Sequence, residues 1–223
     1  MKIIGHRGAA GLAPENTVRS IRVAHDLKLD GIEFDVRITK DNHLVVCHDK
    51  DLQHIAGIDK LISKLTLAEI KAVKTLSGEP IPTLQQVIKE AGNSQLLIEG
   101  KDSGWAEILA NIIKNTTFKV QPKVLSFNHK ELMKFKRLSP LTGLIVSEQH
   151  NPFKTIYFAK ENGVQAVCIK FWIYHPIMYA LARRNNLEMY AYTINNRFFG
   201  RIFHILYPKV EIITNYPNKF ITS

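Results

Sequence analysis

Short apolar runs alternate with longer amphipathic segments along nearly the whole chain, and this alternation constrains the fold more than any other feature. The runs at 2–4, 31–38, 96–99, 123–127, 143–146, 165–169, 188–194 and 211–214 read as strands. Helical spacing covers 17–27, 105–114, 130–138, 153–161, 176–184 and 197–206. Two more helix starts carry capping boxes, Thr66 with Glu69 and Thr83 with Gln86, and the second of these helices stops before Gly92. The run at 44–47 follows a turn at Thr39-Lys40-Asp41-Asn42 and reads as a hairpin strand outside the parallel set. Strand-then-helix repetition implies parallel strands joined by helical crossovers. Eight is the number with which a (β/α)8 TIM barrel closes, although an open doubly wound sheet satisfies the same α/β pattern. After the last strand only 217–223 remain, so the final barrel helix is short or absent.

A chain of 223 residues with no Gly/Ser-rich or Pro-rich tract is the size of one α/β domain, so 1–223 is expected to fold as a single unit. Residues 49–82 break the alternation just after the hairpin near the second strand, and are expected to form a small insertion lying over the site as a lid. Cys47 and Cys168 both lie inside apolar runs and read as buried, reduced thiols. No apolar stretch of signal-peptide length precedes His6, and nothing approaches a membrane-spanning run. The expected location is therefore cytoplasmic.

Formal net charge is +10. Spread out, such charge keeps a protein in solution; gathered on one face, it attracts anionic substrates, lipid surfaces or nucleic acid. Lys71 and Lys74, and Lys130, Lys134, Lys136 and Arg137, fall at solvent-facing helical periods and favour the diffuse reading. Peripheral contact with an anionic membrane surface stays open as a partner. No nucleic acid is expected, since basic and aromatic residues do not interleave as in single-strand binders.

The first fifty residues are dense in polar groups: Gly5-His6-Arg7-Gly8, Pro14-Glu15-Asn16-Thr17, Glu33-Phe34-Asp35 and His48-Asp49. Glu33 and Asp35 sit two apart in a strand and share one face, while Ile32, Phe34 and Val36 share the other. In a barrel the apolar set lies under the helices and the carboxylates point inward, where two like charges are costly without a cation. Oxygen ligands aimed this way suit a hard divalent ion. Catalytic groups of such barrels collect at the C-terminal ends of strands. His6 and Arg7, Glu33 and Asp35, Glu99 and Lys101, and 126–128 all fall at such ends.

His-Arg-Gly, Pro-Glu-Asn-Thr, Glu-x-Asp and Val-Val-x-His-Asp, in this order and spacing, resemble the glycerophosphodiester phosphodiesterase family. The likeness continues through Leu65-Thr66-Leu67-Ala68-Glu69-Ile70, Ile81-Pro82-Thr83-Leu84, Ile98-Glu99-Gly100-Lys101 and Leu125-Ser126-Phe127. It implies the barrel rather than the open sheet. It also implies a phosphodiester hydrolase that releases glycerol 3-phosphate and an alcohol from small glycerophosphodiesters such as glycerophosphocholine or glycerophosphoethanolamine. By the same resemblance, Glu33, Asp35 and Glu99 would hold Mg²⁺ or Ca²⁺, and His6 and His48 would be the acid and base pair, in an order the sequence leaves open. Arg7 and Lys101 would contact the phosphate. Glu15, Asn16 and Tyr192 would lie in or behind the substrate site.

Three places depart from the family pattern. Tyr192-Thr193-Ile194-Asn195 stands where Trp-Thr-Val-Asn is usual, Thr214-Asn215-Tyr216-Pro217 replaces Thr-Asp-x-Pro, and Gly100 replaces a bulky apolar residue. None removes a proposed catalytic group. Two other readings stay in view: a lysophospholipase D-type hydrolase of lysolipids, and a barrel that only binds phosphate esters or a membrane surface.

Overall fold

The computed structural model describes residues 1–221. The chain opens with β1 (Ile3–Gly5), α1 (Val18–Asp26), β2 (Gly31–Ile38) and the hairpin strand β3 (Leu44–Val46). The insertion follows with β4 (Asp51–Leu52), α2 (Gln53–Ala56), β5 (Ile58–Leu61) and α3 (Leu67–Lys71). After α4 (Leu84–Ala91), strand and helix alternate: β6 (Leu96–Gly100), α5 (Trp105–Lys114), β7 (Lys123–Ser126), α6 (His129–Leu138), β8 (Gly143–Glu148) and α7 (Pro152–Glu161). Then come β9 (Ala166–Lys170), α8 (Pro176–Arg184), β10 (Glu188–Tyr192), α9 (Arg197–Leu206) and β11 (Val210–Thr214), with a single 3₁₀ turn at Pro217–Lys219 in place of a last helix. Thr17, Thr66 and Thr83 each close a capping box on the helix that follows, satisfying backbone N–H groups that a helix start leaves free.

Eight parallel strands run in the order β1, β2, β6, β7, β8, β9, β10, β11. β11 returns to β1 through the pairs Ile3 with Ile212, Ile4 with Ile213 and Gly5 with Thr214. That last pairing closes the barrel, so the chain is a (β/α)8 TIM barrel and not an open sheet. Alternation along each strand sorts side chains into two layers. Ile32, Phe34, Val36, Ile98, Val124 and Val167 face the helices in the main core. Ile4, Leu97, Leu125, Ile145, Cys168, Tyr190 and Ile213 fill the barrel interior. Its N-terminal end is closed by Lys123, whose ammonium donates to Tyr190 Oη at 2.9 Å and contacts Glu188.

No residue of the insertion is among those that line the cavity at the C-terminal end of the barrel. The insertion has its own apolar core of Leu52, Ile62, Leu65, Ile70 and Ile81, which packs on Val45 and Cys47 of the hairpin. Because β3 pairs antiparallel with the C-terminal part of β2, Val36 with Val46 through Ile38 with Leu44, this apolar partner lies to one side of the mouth and holds the insertion there. Cys47 and Cys168 are buried and unpaired, as expected.

Candidate active site

His6 and Arg7 follow β1 in a turn held by three hydrogen bonds to Thr214 and Glu33. His6 N–H donates to Thr214 O at 2.9 Å, Gly8 N–H to Glu33 O at 2.9 Å, and Arg7 N–H to Glu33 Oε2 at 3.0 Å. Arg7 at φ 51° and Gly8 at φ 82° are both in the left-handed region. A Cβ on Gly8 would meet Ser20 Oγ at 2.4 Å, so glycine is required there on two counts. Holding Arg7 in that conformation costs about 1 kcal/mol or more, and the turn's own hydrogen bonds offset it.

Glu33 and Asp35 point from β2 into the barrel, and the register of β2 with β6 sets Asp35 beside Glu99. One carboxylate oxygen from each of the three residues lies within 4.8 Å of the others, and all three residues are buried. Lys101 Nζ contacts Asp35 Oδ1 at 3.0 Å and Glu99 Oε1 at 2.5 Å. Arg7 Nε is 3.4 Å from Asp35 Oδ2. Asn16, buried at φ 57°, donates from Nδ2 to Asp35 Oδ2 at 2.9 Å and accepts Asp35 N–H on Oδ1 at 3.2 Å. Glu33 Oε1 is buried with no hydrogen-bond partner, and Glu99 Oε1 has no well-directed one.

These surroundings split the three carboxyls. Burial, with the charges of Asp35 and Glu99, raises Glu33 well above the usual carboxylate range. Burial and the Asp35 charge push Glu99 up to about 7. Burial also works against ionising Asp35, but Lys101 and Arg7 outweigh it and hold that group at about 2. Three inward carboxyls, two of which resist ionising beside the third and one of which has an orphaned oxygen, make an all-oxygen donor set that fits a hard divalent cation.

The two histidines are anchored differently. His6 Nδ1 lies 2.6 Å from Asn215 Oδ1, so the amide oxygen accepts Nδ1–H and Nε2 is left free, 3.9 Å from Glu33 Oε2. Asn215 is itself fixed by its N–H donating to Asn195 Oδ1 at 2.9 Å. Burial, reinforced by the Arg7 cation, lowers His6 to about 4. His48 follows β3, and its Nδ1 pairs with the Asp49 carboxylate at 2.8 Å. Burial lowers His48 as well, with Asp49 working in the opposite direction. Arg37 Nε donates to His48 O at 2.8 Å and its guanidinium pairs with Asp102, which ties the His48 loop to the end of β6.

His6, Arg7, Glu33, His48, Glu99, Lys101 and Tyr192 line one cavity of about 470 Å³ at the C-terminal end of the barrel. Leu125, Cys168 and Ile213 form its floor. Phe127 and Tyr192 meet edge to face, ring centroids 6.1 Å apart, and Tyr192 Oη donates to Glu148 O at 3.2 Å. Gly100 is where it is because a Cβ there would strike the Trp105 ring at 2.2 Å.

Glu15 and Asn16 are not among the residues that line this cavity and stand behind it. Glu15 Oε1 accepts from Arg7 Nη1 at 2.7 Å and borders a second cavity of about 220 Å³ between the first helix and the insertion, while Asn16 braces Asp35. Sequence reasoning missed Asn215 and Asn195 as the support of His6. The signal was the Thr214-Asn215 departure itself, which reads as a lost carboxylate until His6 is seen beside it.

A family model described as the glycerophosphoryl diester phosphodiesterase family matches residues 6–219. A glycerophosphodiester phosphodiesterase of Caldanaerobacter subterraneus subsp. tengcongensis is 29% identical over 209 residues, spanning 87% of this chain and 86% of that one. The putative glycerophosphodiester phosphodiesterase YhdW of Bacillus subtilis is 31% identical over 216 residues, 88% and 87% of the two chains. Among solved structures, an Oleispira antarctica phosphodiesterase in complex with the product sn-glycerol-3-phosphate shares the fold at a TM-score of 0.91 and 24% identity, over 98% and 94% of the chains. A glycerophosphodiester phosphodiesterase from Parabacteroides distasonis matches at 0.85 and 26%, over 98% and 94%.

Proposed function

The chain belongs to the glycerophosphoryl diester phosphodiesterase family, and from that premise we propose that it hydrolyses small glycerophosphodiesters to glycerol 3-phosphate and an alcohol, with a divalent ion held by Glu33, Asp35 and Glu99. The observation that carries the metal is the buried carboxylate set with its orphaned Glu33 oxygen, facing the same cavity as two cations and two histidines. When bound, Mg²⁺ or Ca²⁺ supplies stabilisation of charge on the phosphoryl oxygens.

Arg7 and Lys101 bring positive charge to the phosphate from opposite sides of the carboxylates, and the Glu15 contact fixes the Arg7 fork before substrate arrives. His6, neutral near pH 7 with Nε2 free, takes a proton from the water that attacks phosphorus as the P–O bond to the alcohol breaks. His48 is held through Nδ1 by the Asp49 carboxylate, which opposes the lowering that burial imposes, and as the imidazolium it gives a proton to the leaving alkoxide. One water is consumed, and the proton removed at one histidine is matched by the one delivered at the other. Asn16 and Asn215 act through Asp35 and His6 and hold them in register. Phe127 and Tyr192 form the apolar wall against which the organic part of the ester packs.

Purified protein incubated with glycerophosphocholine and Mg²⁺ or Ca²⁺ should release glycerol 3-phosphate, and His6→Ala and Glu33→Ala should abolish that release. Hydrolysis that needs no metal, or that survives both substitutions, overturns the reading. Glycerophosphoethanolamine and a lysophospholipid run alongside fix the alcohol.

A further inference from the structure

Helix α9 turns its apolar side outward. Its buried residues are Gly200 and Phe203, whereas Phe198, Phe199, Ile202, Ile205 and Leu206 are between 40% and 77% exposed. Phe198, Ile202 and Ile205 fall at i, i+4 and i+7, with Phe199 and Leu206 alongside, so the five form one stripe down the helix. Exposed Arg197 and Arg201, one turn apart, run along its edge. Neighbouring α8, joined to the end of α9 by the Tyr179 and Tyr207 rings at 5.3 Å, adds exposed Ile177 and Leu181 and ends in exposed Arg183 and Arg184. At the cavity rim Trp172 is 65% exposed, with Lys170 Nζ 5.1 Å from its ring centroid. A contiguous apolar patch of this kind is unusual on the outer helix of a soluble barrel.

Charge separates along the same lines. Between Glu161 and Glu211 the chain carries six Lys and Arg residues against one carboxylate, Glu188, and Glu188 is paired with Lys123 at the opposite end of the barrel. Diffuse surface charge, expected from the lysine spacing, therefore does not describe this face. None of Arg183, Arg184, Arg197 and Arg201 forms a salt bridge among the described residues.

We propose that the α8–α9 face, with Trp172 at its rim end, docks on an anionic lipid bilayer. An apolar stripe edged by arginines gains both from burial among acyl chains and from attraction to acidic headgroups. Trp172 and Lys170, which line the cavity, would then stand at the lipid surface, so the mouth opens beside the bilayer. A second copy is the poorer occupant. Two chains of charge +10 would meet arginine to arginine, with no carboxylate on α8 or α9 to pair them.

Sedimentation of the full chain with phosphatidylglycerol vesicles, and with phosphatidylcholine vesicles as the neutral arm, tests this. Binding should favour phosphatidylglycerol, weaken with added salt, and fall by about fivefold per charge in Arg197→Gln and Arg201→Gln. Phe198→Ser with Ile202→Ser should lower it at least about tenfold, with melting temperature and glycerophosphocholine hydrolysis unchanged. No binding to phosphatidylglycerol, or binding unaltered in both variant pairs, overturns the proposal. So does a concentration-dependent dimer in sedimentation velocity that Phe198→Ser disperses.

Discussion

The two ends of the barrel interior are built from the same strands under opposite rules. At the N-terminal end Ile4, Leu97, Ile145 and Tyr190 are packed dry, and the charged groups Lys123 with Glu188 and Lys2 with Glu211 are paired at the edge. At the C-terminal end three buried carboxyls meet a half-buried lysine and arginine, one carboxylate oxygen has no partner, and Arg7 and Asn16 both hold left-handed backbone conformations. Satisfaction at one end and dissatisfaction at the other is what a stable scaffold carrying a binding site looks like: the unmet groups are those a ligand would meet.

The largest effect expected from breaking this contrast is at the polar end. Glu33→Ala should lower kcat/KM for glycerophosphocholine by about 10³-fold or more while leaving the fold intact, since it removes a carboxyl whose neighbours repel it. A loss below tenfold would place the reacting phosphate elsewhere. At the dry end the pattern should invert. Ile145→Ala, fully buried, should cost about 2–5 kcal/mol in denaturant unfolding with kcat of the folded protein unchanged. A large fall in kcat there would mean that the two ends are coupled.

Asn215 sharpens the comparison within the polar end. Asn215→Ala frees His6 Nδ1 and should lower kcat about 10–100-fold with little change in KM. Asn215→Asp should raise the His6 pKa, because a carboxylate stabilises the imidazolium, and move the acid limb of the kcat/KM profile upward. An unmoved limb would show that His6 is not the group that titrates there.

The smallest effect concerns metal-free stability. Glu99, at about 7, and Glu33, raised well above its usual value by burial and by the charges of Asp35 and Glu99, bind protons in the folded state that the unfolded chain has already released. The stability this confers is complete below the unfolded pKa near 4.5 and is lost as pH rises through the folded values. His6 and His48, lowered instead, work in the opposite direction until the unfolded imidazoles are neutral, about one unit above 6.5. Above about pH 7.5 the carboxyl effect stands alone, so the melting temperature in chelator should fall from about pH 7.5 to 8.5, a loss of on the order of 1 kcal/mol of stability. Mg²⁺ or Ca²⁺ at 100 times its Kd should add about 2.7 kcal/mol and remove most of that slope. A chelated protein that gains stability over this range would contradict the carboxyl assignment.

Local pattern carried most of the fold. Helices α5, α8 and α9 span the residues their periodicity and caps predicted, and the alternation from Ile32 to Val36 correctly turned Glu33 and Asp35 inward. What failed to show in sequence depends on contacts far apart in the chain. Closure of β11 on β1, and the hold of Asn215 on His6, both join residues 209 positions apart. The insertion's own apolar core, packed on Val45 and Cys47 of the hairpin, was likewise not legible in the sequence, since it joins residues on both sides of the insertion. In α9, amphipathic spacing announced a helix without saying which side met the core, and the apolar side proved to face out.

Titration calorimetry of the metal-free protein with Mg²⁺ and with Ca²⁺ decides whether the buried carboxyls of Glu33, Asp35 and Glu99 form one cation site. One ion should bind per chain with release of protons, and Glu33→Ala should abolish the heat. A titration with no binding of either ion, or full binding that persists in Glu33→Ala, would contradict it.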